Sequence, residues 1–198
     1  AEKAIKKLKR KKIKQIKSLN TKITPAQIAP ILRGLTSKGA NKKFVLTFRN
    51  NKILRYFIDG KEVSRYSTEG TATPDHVIRV KPFPLIIKPK AKSSISEFKK
   101  TAKKAFIDYR KKYSQYFEQN QKKTKEKKTM LDTSPRVIIV QNIGIFCVGN
   151  SLKAANIAAD LTETNARVIS SVEETSKYKL FQKKIFLMLN IGLLNKQK

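Results

Sequence analysis

The chain carries one cysteine, one histidine and no tryptophan in 198 residues. A single thiol cannot close an internal disulfide, so no cystine framework holds this fold. Cys147, set in an apolar run, reads as a small buried hydrophobe. One histidine, His76, makes for poor zinc chemistry, because catalytic zinc usually takes about three protein ligands with histidines prominent among them. Long apolar runs are also missing. None approaches the roughly 18 residues that cross a bilayer, and Phe181 to Leu194 is short and interrupted. The opening AEKAIKKLKRKK is not followed by the hydrophobic region of a signal peptide. The expectation is therefore no membrane partner and a cytoplasmic location. The chain starts at Ala1 rather than Met, which reads as a piece of something longer.

Acidic residues are scarce as well: 14 against 45 basic ones, a formal net charge of +31. Such an excess ordinarily points to nucleic acid or an anionic surface, since each neutralised phosphate releases condensed counterions. Two details count against it. The excess is 36 Lys to 9 Arg, and Arg is the residue that reads phosphates and guanines bidentately. A lysine-biased genome gives the same count. The charge is also segregated. Lys3 to Lys17 holds 9 basic residues and Lys99 to Lys128 holds 12, whereas Thr133 to Thr175 has 3 basic and 4 acidic ones. Nucleic acid stays as an alternative partner that the pattern does not favour.

The remaining composition, 39% hydrophobic, fits one globular domain. Its organising stretch is PRVIIVQNIGIFCVGNSLKAANIAAD, Pro135 to Asp160. A β-branched run at Arg136 to Val140, a break at Gly144, a second run at Ile145 to Val148 and the opening Gly149-Asn150-Ser151 predict strand, turn, strand and helix. The turn at Gln141 to Gly144 is either a ligand-binding turn or a buried hairpin that supports the helix, and spacing alone favours the hairpin.

In chain order, Ala1 to Ile16 reads as a helix with Ile5, Leu8, Ile13 and Ile16 on one side. Thr24-Pro25 starts a second helix carrying Ile28, Ile31, Leu32 and Leu35, which ends by Gly39 and is kinked or shortened at Pro30. Lys43 to Arg49 and Ile53 to Ile58 flank Asn50-Asn51, a dipeptide that suits a β-hairpin turn. Asp59 to Gly70 is a polar loop or short helix. Thr73-Pro74 repeats the cap pattern and sets Asp75 and His76 in a first helical turn. These two are the candidate catalytic residues, His76 as a general base oriented by Asp75, against a histidine that only satisfies loop hydrogen bonds. Leu85 to Ile87 is a short strand. Ser94 caps a long helix to about Gln119 with an inward face of Ile95, Phe98, Ala102, Phe106, Tyr109, Tyr113 and Tyr116. A lysine-rich linker, Asn120 to Thr129, leads back to the central stretch. The last helix, Ser151 to about Ser176, turns Leu152, Ala155, Ala159, Thr162, Ala166, Ile169 and Val172 inward. The alternation predicts an α/β layered module, with α+β as the alternative.

Two strings carry a family likeness: TATPDHVIRVKPFP at 71–84, and PRVIIVQNIGIFCVG with AANIAADLTETNARVI at 135–149 and 154–169. They resemble the later part of the class II aldolase/adducin-type domain. The nearest likeness is to bifunctional proteins that join such an aldolase to a short-chain dehydrogenase, a group that includes rhamnulose-phosphate aldolase/lactaldehyde dehydrogenases. It covers Ile23 to Tyr178, with 1–22 as a basic lead-in and 179–198 as a divergent tail.

The resemblance implies an enzyme that cleaves a sugar phosphate to dihydroxyacetone phosphate and an aldehyde, with a zinc ion polarising the ketose oxygens. Its zinc-binding histidine motifs have no counterpart here, and the GxxxGxG turn of the NAD-dependent partner enzyme is absent, so neither zinc nor NAD is expected in this chain. At the turn where catalytic relatives carry a zinc-binding histidine, this sequence has Gln141-Asn142-Ile143, none of them a normal zinc ligand. Past Phe181 such proteins continue with a run like FDMEYWSLEQAK, where this chain reads QKKIFLMLNIGLLNKQK. The resulting expectation is a fragment of a decayed or frameshifted gene, not catalytic alone, that associates with itself or with the missing segments. The alternatives are an active zinc-dependent class II aldolase and a basic nucleic-acid-binding protein.

Overall fold

The computed structural model describes residues 10–18, 22–123, 125 and 127–180. In chain order the elements are α1 (Pro25–Ala40), β1 (Val45–Arg49), α2 (Lys52–Ile58), α3 (Val63–Tyr66), a 3-10 turn (Pro74–His76), α4 (Val77–Val80), β2 (Leu85–Ile87), α5 (Ile95–Gln121), β3 (Val137–Val140), β4 (Gly144–Gly149) and α6 (Leu152–Glu173). The two apolar runs of the central stretch pair antiparallel as β3 and β4, with Val137 opposite Cys147 and Val140 opposite Gly144. Between them Asn142 takes φ 65° and Gly144 φ 155°. A Cβ on Gly144 would lie 2.6 Å from Phe48 Cε2 and 2.7 Å from Arg49 O, so the turn closes against β1 only with glycine there.

β1 lies antiparallel on β4 and β2 lies parallel on β3, which gives a four-stranded mixed sheet in the order β1-β4-β3-β2. Every residue of β3 and β4 is buried, as required of strands covered on both faces. Successive side chains go to opposite faces. Ile138, Val140, Phe146 and Val148 pack with α1 and α5 through Ile28, Leu32, Phe98, Phe106 and Tyr109. Val137, Ile139, Ile145 and Cys147 pack with α2, α3 and α6 through Leu54, Phe57, Tyr66, Ala159 and Ile169. The molecule is an α/β sandwich with helices on both sides of one sheet.

The predicted caps form. Thr24 and Gln27 make a reciprocal capping box on α1, and Ser94 and Glu97 another on α5. The predicted inward face of α5 is buried at Phe98, Ala102, Phe106, Tyr109 and Tyr113. α1 runs through Pro30 to Ala40. Pro30 and Ala26 both lie on its exposed side, so water can replace the bond that Pro30 cannot donate.

Four expectations are corrected. The hairpin expected across Asn50-Asn51 is a strand followed by a helix: Asn51 Oδ1 accepts from Leu54 N at 3.0 Å and caps α2. Leu54, Phe57 and Ile58 then share one buried face, a helical spacing that the shorter apolar run concealed. The Thr73-Pro74 start does set Asp75 and His76 in a first helical turn, but that turn is 3-10 and Thr73 makes no side-chain cap on it. Leu152, expected inward, is 59% exposed, because Ala155 and Ala159 carry the first inward turns of α6. The helix expected over Ala1 to Ile16 is not helical in its described part. Arg10 to Ser18 is extended, with Gln15 bridging Gly60, Lys11 N donating to Glu174 O at 2.6 Å and Ile16 N to Asp59 O at 2.8 Å. Ile13 packs on the α2/α6 core, so the apolar residues anchor a strap. Residues 1–9 and the tail from 181 lie outside the described residues.

Candidate functional site

The turn Gln141 to Gly144 is engaged in structure. Gln141 Nε2 donates to Ile58 O at 3.1 Å and to Gly60 O at 3.2 Å. Asn142 N donates to Asp59 Oδ1 at 2.7 Å, and Arg55 holds the other oxygen of that carboxylate at 2.6 Å. The turn thus ties the central hairpin to the end of α2.

His76 and Asp75 find different main partners. His76 Nδ1 lies 3.2 Å from Asn165 Oδ1 on α6. The same oxygen accepts from Ala72 N at 2.8 Å, so Asn165 fastens both ends of the 72–76 segment. Asp75 is exposed, and the Thr73 hydroxyl holds its carboxyl below the usual range. It makes no contact that would orient the imidazole, so the two do not form a base and its orienting partner.

Behind this segment lies a cavity of about 40 Å³, lined by Thr71, Lys81, Phe83, Thr162, Asn165 and Ile169 among others. It has room for a water or two. On its far side stands Lys81, 1% exposed, held at φ 63° where α4 ends. Its ammonium donates to Asp132 O, sits 3.8 Å from Asp132 Oδ1 and lies 4.0 Å from the centre of the Tyr113 ring. Asp132 also takes two bonds from Arg136, at 2.5 and 3.0 Å, and one from Ser134 N at 3.1 Å. Burial and the Arg136 charge push the Lys81 amine down to about 7, and Asp132 offsets only part of this. Burial tends to raise Asp132, but Arg136 and Lys81 together hold its carboxyl below the ordinary range. The result is an ion triad beside α4, α5 and β3, buried at Lys81 and half-buried at Asp132 and Arg136, with an amine that can exchange a proton near neutral pH.

Sequence reasoning missed Lys81, Asp132, Arg136 and Asn165. A single buried lysine cannot be told by composition from the rest of a lysine-rich chain. The usable signals were local: Lys81 stands between Val80 and Pro82-Phe83-Pro84, and Asp132 precedes Arg136 by four residues around Ser134-Pro135.

The chain belongs to a known family. A family model described as the second domain of class II aldolases matches residues 23–198, and the chain belongs to that family. The chain is also 26% identical over 138 residues to the uncharacterized oxidoreductase YuxG of Bacillus subtilis (strain 168). That alignment covers 69% of this chain and 19% of the relative, so the chain spans about a fifth of the protein it matches. No solved structure matches it.

The family implies a divalent metal, and the residues present do not fit one. Among the described residues no group of three or more His, Cys, Asp or Glu side chains could hold an ion. His76 faces an amide, and Cys147 is fully buried with its thiol pushed up to about 12, chiefly by burial. Among the described residues no helix is long and apolar enough to cross a membrane.

Proposed function

We propose that this chain serves as the second domain of a class II aldolase in a bifunctional aldolase/short-chain dehydrogenase of the rhamnulose-phosphate type, and that it does not cleave substrate alone. The observation that carries this reading is the family match over residues 23–198, beside which no group of three or more His, Cys, Asp or Glu side chains among the described residues could hold a metal. A metal ion serving such an enzyme would have to be held by residues outside those described here, and it would supply Lewis-acid polarisation of the ketose oxygens. This domain contributes a sheet packed on both faces, the 71–76 segment fastened by Asn165, and the buried Lys81 triad behind it. Residues 1–22 then act as a basic lead-in to the domain, and the family match runs on through residues 179–198.

The test is a coupled assay for dihydroxyacetone phosphate released from rhamnulose 1-phosphate. The chain alone, supplied with zinc, should show no cleavage above buffer. Fusion behind a class II aldolase first domain that carries the histidine motifs should give activity. Turnover by the isolated chain, lost on His76→Ala, would overturn the reading and establish an active aldolase.

A further inference from the structure

The strap at 10–16 forms one wall of a groove of about 710 Å³, whose other walls are the 61–65 segment and the C-terminal end of α6 with residues 174–177. Three carboxylates line it, and each is already engaged. Glu62 and Glu173 both hold Arg65, at 2.6 and 2.5 Å, and Glu173 also accepts from Tyr178 N. Glu174 accepts the Tyr56 hydroxyl at 3.0 Å.

The five lysines of the same groove, Lys11, Lys12, Lys14, Lys61 and Lys177, are exposed and take part in no ion pair among the described residues. Lys177 and Lys14 are near enough to Glu62 to help hold its carboxyl below the usual range, after Arg65. The strap is no chance neighbour. Lys61 N donates to Lys14 O and Ile13 N to the Tyr56 hydroxyl, both at 2.8 Å, which fixes the backbone that carries Lys12 and Lys14.

We propose that this groove binds a small ligand bearing two or more linked phosphate groups. The volume lies within the range of small-molecule sites, roughly 300–1,000 Å³. Ammonium groups bind phosphate as point charges even where no guanidinium fork is free, and the one lining arginine, Arg65, is committed to two glutamates, so these five lysines suit a compact ligand of high negative charge. The one ring at the wall, Tyr66, is fully buried and gives its hydroxyl to Phe57 O, which leaves no platform for stacking bases. A phosphorylated small molecule therefore fits better than single-stranded nucleic acid. The site is separate from the Lys81 cavity, and the proposal stands whether or not the domain assists aldol cleavage.

Titration calorimetry of the full 198-residue chain with inorganic tripolyphosphate, at fixed ionic strength, tests it. One ion per chain is expected. A triple variant, Lys14→Gln, Lys61→Gln and Lys177→Gln, should weaken binding by about tenfold or more, since three nearby charges are lost. A second triple variant on the exposed face of α5, Lys99→Gln, Lys103→Gln and Lys111→Gln, removes equal charge and should change affinity by less than about twofold. All six positions are exposed, so both variants should fold. Absence of binding, several ions per chain, or equal weakening by the two triples would overturn the proposal. So would a single-stranded oligonucleotide that binds the groove more tightly than tripolyphosphate does.

Discussion

Lys81→Met should make the protein more stable at neutral pH. The lysine is 1% exposed and its amine falls from an ordinary 10.5 to about 7, with burial the main cause. A depressed folded pKa means that the unfolded chain holds the proton between those values while the folded chain releases it. Stability from this group is therefore lowest below pH 7 and is recovered as pH rises toward 10.5. The gap amounts to a penalty on the order of 5 kcal/mol below pH 7. Methionine removes it and keeps the unbranched stem against Tyr113, but leaves Asp132 O without its donor, a loss of about 1–3 kcal/mol. The positive φ at position 81 strains either side chain alike. The net expectation is a gain of about 2–4 kcal/mol at pH 6.5. Urea unfolding of both proteins at pH 7, 8 and 9 checks the sign: the advantage of the variant should shrink by about 2 kcal/mol across that range. A variant that is less stable at pH 7, or an advantage that does not change with pH, would refute the account of the triad.

Gly144→Ala should destabilise by about 2–4 kcal/mol, because the new Cβ meets Phe48 and the Arg49 carbonyl at a φ that side chains rarely adopt; a change in the urea midpoint at constant slope is the readout. His76→Ala should lose only about 1 kcal/mol, whereas Asn165→Leu frees both Ala72 N and the imidazole and should cost about 2 kcal/mol. Hydrogen exchange over 70–76 should accelerate in the second variant more than in the first. Zinc should bind no more tightly than a lone histidine allows; a stoichiometric ion at Gln141 to Gly144, seen by calorimetry, would return the metal to this domain.

The sheet centre and the last two long helices were legible because their signals are redundant. Val137 to Val140 and Ile145 to Val148 are apolar in succession, and Ser94 with Glu97 marks a helix start by two side chains at once. Asn51 misled because one asparagine serves equally as a hairpin residue or a helix cap. The choice went to the cap since a helix buries Leu54, Phe57 and Ile58 together. The strap at 10–16 was unreadable for another reason: its bonds run to Asp59, Lys61 and Glu174, partners that no local pattern announces. Of the site, His76 and Asp75 could be picked out as rare or cap-placed residues, whereas the partner that His76 meets, Asn165, lies 89 residues downstream on α6 and no local pattern announces it. The Lys81 triad depends on Asp132 and Arg136, some fifty residues downstream, which the parallel pairing of β2 with β3 brings near.

The order β1-β4-β3-β2 also sets a timetable for synthesis. Both outer strands are made first, and neither touches the other. β1 waits for residues 145–149 and β2 for 138–140, so the first 136 residues leave the ribosome with no strand partner at all. Until the central hairpin emerges, the nascent chain can hold only helices and apolar segments without a sheet to cover. A ribosome that stalls or terminates before Val137 therefore releases a polypeptide that has no sheet, and quality-control proteases should meet it as an unfolded substrate rather than as a smaller domain.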